Sequence, residues 1–572
     1  MTATPPPKTT SKRGKNMKYY CNPLNLPYQY QLSVRDGVDT AFREAADPSL
    51  VLFQGKYWLF PSMTGGFFTS TDLCDWEFHP FTEEIPIHDY APDVCVIDGA
   101  LWFSASRGGM NGAFYHSPDP IHVPFEKVPA SFEFWDPHLF QDEDGRLYFF
   151  WGCTNTSPIW GVELEKGTMR PLCAPVGLIR GQPDQHGFER FGENNRPNGT
   201  APYIEGAWMT KYKGKYYLQY AAPGTEFNVY SDGVYVADAP LGPYRPAVSN
   251  PYSFQPGGFI TGSGHGSTLK ALDGTHWHAD TLRISCTHPY ERRLGLWKAG
   301  FDSDGVLYCD QRFGDWPRAM DAPVWSDPEW MLLSYGKPVH ASSGAHPQWA
   351  VDENIRSWWS ADDSDPCPQL TLDLGQSCMV HAVQVNFADD SLRVKPKKDA
   401  VWSQFLGVPR VIEDRPLFTR WLLEGSADGK TWGILEDKRT CDTDLPHDLV
   451  VKEEGVRARY IRLTVTELPY YQTARISGLR VFGTAQGQPP EKARVLECRR
   501  LPLDGFLRWE SGEGANACIS WGYAPDKLYH SKMVFGYREA AITALIKGQP
   551  AWVRVDCFNE HGVIRGDVFC LG

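Results

Sequence analysis

The sequence predicts an all-β chain: a five-bladed β-propeller at the N-terminal end, followed by two smaller β-sandwiches. Three observations predict it. A glycine turn followed by an aromatic-rich strand recurs five times between residues 53 and 278. Amphipathic helical stretches are scarce from residue 20 to residue 320. Beyond about residue 334, short alternating apolar stretches broken by turns take over, as in packed antiparallel sheets.

The 572 residues are enough for about three or four domains. With 42% hydrophobic residues, the chain can bury a large core and is not mainly disordered. Lys plus Arg number 56 against 69 Asp plus Glu, a net charge of -13, which excludes the basic footprint of a nucleic-acid binder. No run of about 18 apolar residues is present, so no membrane span is expected. The opening stretch MTATPPPKTTSKRGKN is polar and basic and lacks the apolar core of a secretory signal. Residues 1–18 therefore read as a disordered tail. The chain as it stands reads as cytoplasmic, or as secreted or periplasmic if a leader has been removed. The 14 cysteines form no CxxC pair and read as small buried hydrophobes in a reducing compartment. Aromatics reach 13%, which suits both cores and surfaces that stack on ring-shaped ligands.

The five repeats are Phe53–Phe60, Ile97–Phe103, Asp142–Phe149, Tyr212–Leu218 and Leu272–His278, turning at Gly55, Gly99, Gly145, Gly214 and Gly274. Glycine supplies the positive φ of a tight hairpin, and the residues after it are β-formers. The turns lie 44, 46, 69 and 60 residues apart (differences of those numbers). About 45 residues make one four-stranded blade, and the longer intervals leave room for loops. A propeller over residues 19–325 follows.

A polar residue precedes each turn by six to nine positions: Asp47, Asp93, Asp136, Glu205 and, in the fifth repeat, His265. The first strand of a blade lines the channel, so its starting residue points at one mouth. An isolated Asp-Pro is usually a turn or cap. Four carboxylates at one equivalent position repel one another and are not gathered for stability. Two chemistries suit them: glycoside hydrolysis, which needs an acid and a base across a sugar ring, or a calcium site. Tyr90, Phe134, Trp135, Tyr203 and Trp208 adjoin the carboxylates and would wall an apolar pocket. A sugar needs such a wall and calcium does not.

At these residues the chain resembles glycoside hydrolase family 43. The resemblance rests on Ala46-Asp47-Pro48, Ala91-Pro92-Asp93, Trp135-Asp136-Pro137, Ile204-Glu205-Gly206 and Gly264-His265-Gly266, in this order and at these spacings. It implies an inverting enzyme on a five-bladed propeller, with Asp47 as general base, Glu205 as general acid and Asp136 orienting the acid and modulating its hold on the proton. His265 falls where the family holds a central water or calcium ion, so a structural Ca2+ in the channel is an expectation, with no cofactor required for the chemistry. Inversion calls for base and acid carboxyls about 6.5–9.5 Å apart. Asp93, Trp135, Arg107 and Arg283 are candidate sugar contacts. Asp93 has a structural role as its alternative, and the two arginines a salt bridge between strands. The polar, glycine-broken stretch His186–Asn195 reads as a long loop over the channel mouth, with Glu189, Arg190 and Glu193 as candidate contacts to the non-reducing end.

Residues 326–485 resemble a discoidin-type, galactose-binding-like sandwich, expected to brace the catalytic domain. Gln486–Pro490 is a linker by composition. Residues 491–572 resemble a fibronectin type III sandwich with no visible site. Together these readings predict an exo-acting hydrolase of terminal β-xylosides, α-L-arabinofuranosides or galactofuranosides, with carbohydrate as partner and neither nucleic acid nor membrane. The oligomeric state is not read from the sequence. The alternatives are an endo-acting arabinanase-like hydrolase and a non-catalytic sugar-binding propeller.

Overall fold

The structure is a computed structural model. It describes residues 17–571 apart from 36, 82–89, 107–109, 285–287, 289, 399–402 and 406–407. Among the described residues three four-stranded antiparallel sheets form the first three units and one nine-stranded sheet holds the fourth and fifth, and the predicted glycine turn joins the first two strands of each unit: Ala46–Phe53 to Lys56–Ser62, Asp93–Ile97 to Ala100–Ser104, His138–Gln141 to Leu147–Trp151, Glu205–Tyr212 to Lys215–Ala222 and Thr261–Lys270 to His276–Arg283. All five turn glycines have φ between 74° and 85°. The innermost strands neighbour one another in sequence order, and the fifth returns to the first, closing the ring.

Period-2 alternation explains why the second strands are so aromatic. Each lies between two blades with both faces covered. Tyr57 and Leu59 enter the core shared with blade five, whereas Trp58 and Phe60 enter the core shared with blade two. Leu147 and Phe149 likewise face blade two, and Tyr148 and Phe150 face blade four. Each such ring, once buried, contributes about 1.5–3 kcal/mol. The aromatic surplus thus serves mainly the seams between blades.

The N-terminal hairpin, Tyr30–Arg35 with Val38–Arg43, belongs to no blade. It pairs with Val408–Ile412 and, through it, Ser403–Phe405, so a stretch assigned from sequence to the propeller shares a sheet with the unit that follows. Hydrophobic alternation cannot show this, because it identifies a strand but not its partner.

The second unit is a sheet system built on two long strands, Gln369–Phe387 and His447–Glu467, over a core with Trp359 and Trp421 at its centre. In the third unit, one sheet holds Arg494–Arg500, Gly505–Glu510 and Glu539–Ile542, and the other is centred on Asn516–Gly522 and Ala551–Asn559. Both sheets contribute to one apolar cluster that also includes Ile179 and Phe188 of the propeller chain. Buried ion pairs tie the bodies together: Arg43 with Asp389 (2.9 Å), Arg312 with Asp556 (3.0 Å) and Arg480 with Glu353 (2.8 Å), the last pair also hydrogen-bonding Asp315 through Arg480 Nη1. Among the described residues no helix is long and apolar enough to cross a membrane.

Candidate active site

The blade starts do more than point inward. Asp47, Asp136 and His265 have φ of 48°, 51° and 49°, a left-handed conformation that costs a non-glycine residue about 1–3 kcal/mol. Pairing registers slip at Ala46/Ser49, at Glu205/Trp208 and on both sides of Gly264, so bulges accompany Asp47, Glu205 and His265, while Asp136 precedes its strand. In each strained case a side chain from the adjacent, preceding blade accepts the backbone N–H. Thr281 Oγ1 takes that of Asp47 (2.7 Å), Ser106 Oγ that of Asp136 (2.8 Å) and Asp232 Oδ1 that of His265 (2.7 Å). Ring closure and site geometry are therefore one construction.

The structure brings Asp47, Asp136, Glu205 and His265 together at the channel, all largely buried. His265 Nδ1 lies 3.4 Å from Asp47 Oδ1 and 3.7 Å from Asp136 Oδ2. Ser62 donates to Asp47 Oδ2 (2.8 Å), and Arg292 Nη1 reaches Asp47 Oδ1 (3.4 Å). Glu205 accepts from the Tyr230 hydroxyl (2.6 Å) and from the Cys153 thiol (2.9 Å). The Glu205-Gly206 pair has a steric reason. Gly206 has φ of 62°, and a Cβ there would lie 2.7 Å from Cγ of His265.

Electrostatics divides the carboxyls. Burial works to raise the Asp47 pKa, but Arg292, His265, Ser62 and Thr281 outweigh it and hold Asp47 below its ordinary value. Asp136 is pushed up to about 8, by burial first and then by the Glu205 and Asp47 charges, against the pull of His265. Burial opposes a charge on His265, yet Asp47, Asp136, Glu205 and Asp232 raise its pKa. The pocket thus combines a carboxylate that ionises readily, a carboxyl that keeps its proton near neutrality and an imidazole that favours the cationic form.

Donor atoms of Asp136, Cys153 and Glu205 lie within 4.8 Å of one another, the one such cluster among the described residues. One thiol and two carboxylates do not supply the six to eight oxygens that calcium takes.

The structure places the expected sugar contacts as follows. Asp93 is buried and committed to blade three, with His138 Nδ1 at 2.8 Å and the Leu139 N–H at 2.7 Å. Glu189 is fully buried, accepting from His186 Nδ1 (2.7 Å), the Tyr220 hydroxyl and the Gln182 N–H. Arg190 turns away to Asp504 and the Thr543 carbonyl (2.8 Å) of the third unit. Glu193 and Arg283 pair with each other (3.0 Å), and Glu193 also binds Arg356 of the second unit (3.0 Å). The long loop is a three-way joint: Glu189 is buried within it, Arg190 binds the third unit, and Glu193, its side chain 43% exposed, bridges Arg283 and the second unit. Trp135 is half-buried next to Asp136. Arg107 lies outside the described residues.

Sequence reasoning missed Glu44, Ser62, Ser106, Cys153, Tyr230, Asp232, Thr281, Arg292 and Arg410. Only Glu44 carried a signal, three residues before Asp47. The others sit at ordinary strand positions and matter through their neighbours.

Comparison with known proteins finds relatives of the propeller part of the chain. A β-D-galactofuranosidase, xynD, of Aspergillus niger is 26% identical over 270 residues, covering 41% of this chain and 72% of that relative. A β-xylosidase of Xylanibacter ruminicola is 24% identical over 257 residues, covering 35% and 77%. The crystal structure of the GH43 BlXynB protein from Bacillus licheniformis aligns with 81% of this chain and 98% of its own at 17% identity, with a TM-score of 0.42. The sequence model of the family described as glycosyl hydrolases family 43 matches residues 41–307, the stretch that builds the ring and its site. The chain therefore carries a glycoside hydrolase family 43 domain and is a glycoside hydrolase.

Proposed function

We propose that the protein is an inverting, exo-acting hydrolase that removes terminal pentose or furanose residues. One observation carries the mechanism: within a single buried pocket Asp47 is held in its ionised form while Asp136, beside Glu205, retains a proton. In this reading Asp47 takes a proton from a water whose oxygen attacks the anomeric carbon. Glu205, entering the cycle protonated, delivers that proton to the departing glycosidic oxygen, and Asp136 orients it. His265, packed against Gly206, keeps the two sides in register.

The sugar class is supported by relatives named as a galactofuranosidase and a xylosidase. Exo action is read from the long loop before Glu205, which is anchored to both C-terminal units. The exposed ring of Tyr203, beside Phe191, offers a platform next to Glu205. The chemistry is read as running on side chains alone, without calcium. The C-terminal units act chiefly as braces. The test is release of p-nitrophenol from a panel of aryl pentosides and furanosides, with the first-formed anomer followed by proton NMR. No turnover on any member of the panel, or a retained configuration, would overturn the reading.

A further inference from the structure

Arg410 belongs to the chain of the second unit, in strand Val408–Ile412, yet its guanidinium ends against the wall of the catalytic pocket. The strand pairs antiparallel with Tyr30–Arg35, placing Arg410 opposite Ser33, Val411 opposite Leu32 and Ile412 opposite Gln31. Alternation divides its side chains between two bodies. Val411 packs with Tyr30 and Leu32 and with Leu392 and Leu417 of the second unit. Ile412 packs on the core between blades one and two, and Arg410 shares its side of the strand.

From there a chain of contacts leads to the proposed base. Arg410 Nη1 donates to the Tyr90 hydroxyl (2.9 Å), and its guanidinium lies over the Tyr90 ring, 4.8 Å from the centroid. Arg292 lies 5.2 Å from the same centroid. The Tyr90 hydroxyl donates onward to Glu44 Oε2 (3.5 Å). Glu44 Oε1 accepts from Arg292 Nη2 (2.6 Å) and Nε (3.2 Å), and Arg292 Nη1 reaches Asp47 Oδ1 (3.4 Å). All five residues are buried: Glu44 is 0% exposed, Arg292 3%, Arg410 5%, Asp47 5% and Tyr90 8%. Charged hydrogen bonds hold geometry strongly in such surroundings.

We propose that Arg410 is a positioning residue for Asp47, supplied to the propeller by the unit that follows it. Arg410 fixes the Tyr90 hydroxyl on Glu44. Glu44, held on both oxygens, fixes the Arg292 fork, and the fork holds the Asp47 carboxylate at the angle that activates water. Without Arg410 the Tyr90 hydroxyl turns, Glu44 keeps only Arg292, and the fork swings toward Glu44 and away from Asp47. The second unit then brings a part of the active site as well as a brace. This inference rests on the reading of Asp47 as the base.

The test uses the full chain with Arg410→Met, Arg410→Lys, Tyr90→Phe and the Arg410→Met/Tyr90→Phe double variant, each checked by thermal unfolding. Arg410→Met is expected to lower kcat by ~10–100-fold with KM little changed, the cost of a misplaced catalytic group. Lysine should restore most of it. The double variant should be no worse than Arg410→Met alone, because both changes cut the same chain of contacts. Wild-type kcat in Arg410→Met, or a double variant whose loss is the product of the two single losses, would overturn the proposal. If Arg410→Met does not fold, Tyr90→Phe, which removes a single oxygen, carries the test, and unchanged kcat there overturns the proposal equally. Full activity in Asp47→Asn would sink the reading of the base itself. A dead Asp47→Asn beside an unaffected Arg410→Met would sink only the positioning role.

Discussion

Substituting Gly206 by alanine probes the whole site with one methyl group. The residue has φ of 62°, and the added Cβ would meet Cγ of His265 at 2.7 Å and Cδ2 at 2.9 Å. Carbon atoms sit comfortably at about 3.5–4 Å, so the imidazole must retreat by roughly 1 Å. It has little freedom to do so. Its backbone N–H is bound to Asp232 (2.7 Å), and its ring stands between Asp47 and Asp136 at 3.4 and 3.7 Å. The left-handed backbone adds about 1–2 kcal/mol once a Cβ is present. A displacement of about 1 Å in a catalytic constellation costs on the order of 100-fold in rate. Gly206→Ala should therefore lower kcat on the best aryl glycoside by about 100-fold, with a lowered thermal midpoint and no loss of the β-sheet circular dichroism signal. Wild-type kcat together with an unshifted midpoint would refute the packing argument, because the methyl group would then have found room that this geometry does not contain.

Further outcomes follow from the same contacts. Asp47→Asn and Glu205→Gln should each cut kcat by about 10²–10⁴-fold with the fold intact, as judged by circular dichroism; near-normal turnover in either would remove its assigned role. The basic limb of the kcat/KM profile should fall near pH 8, where the raised Asp136 carboxyl loses its proton, and Asp136→Asn should abolish that limb along with most of the rate. Because folding raises the Asp136 pKa, its neutral form stabilises the protein fully at low pH, and that contribution fades as pH climbs through about 8. Asp136→Asn should accordingly unfold at a higher temperature than wild type at about pH 9. Arg190→Ala should lower the thermal midpoint while leaving KM unchanged, since Arg190 binds Asp504 of the third unit; a raised KM would return it to the substrate site. Dialysis against a chelator should leave turnover unchanged, and a loss restored by calcium would show that the pocket takes the ion after all.

The blades were legible because their signal is local. A turn glycine with positive φ, followed by a strand apolar on both faces, can be read within a dozen residues, and five such units in series imply a ring. Asp47, Asp136, Glu205 and His265 were legible for the same reason, since each occupies one phase of that repeat. The contacts attributed to the loop before Glu205 were not. Glu189, Arg190 and Glu193 are polar residues in a glycine-broken stretch, and sequence cannot say whether such residues face a ligand or another part of the chain. Here they face His186, Asp504, Arg283 and Arg356. The partner of the N-terminal hairpin was out of reach on similar grounds, because Ser33 pairs with Arg410, far along the chain.

By itself the amino-acid order determined the β class, the number of blades and the phase at which acids approach the axis, all of which depend on neighbours close in the chain. Tertiary structure decided how those acids differ. Asp47 is ionised because Arg292 stands beside it, and Asp136 keeps its proton because the fold buries it and then sets Glu205 beside it; both pairings bridge residues far apart in sequence. Side-chain chemistry is written residue by residue, but the field that tunes it sums over whatever the fold brings near, and in this protein that sum draws on residues of different blades.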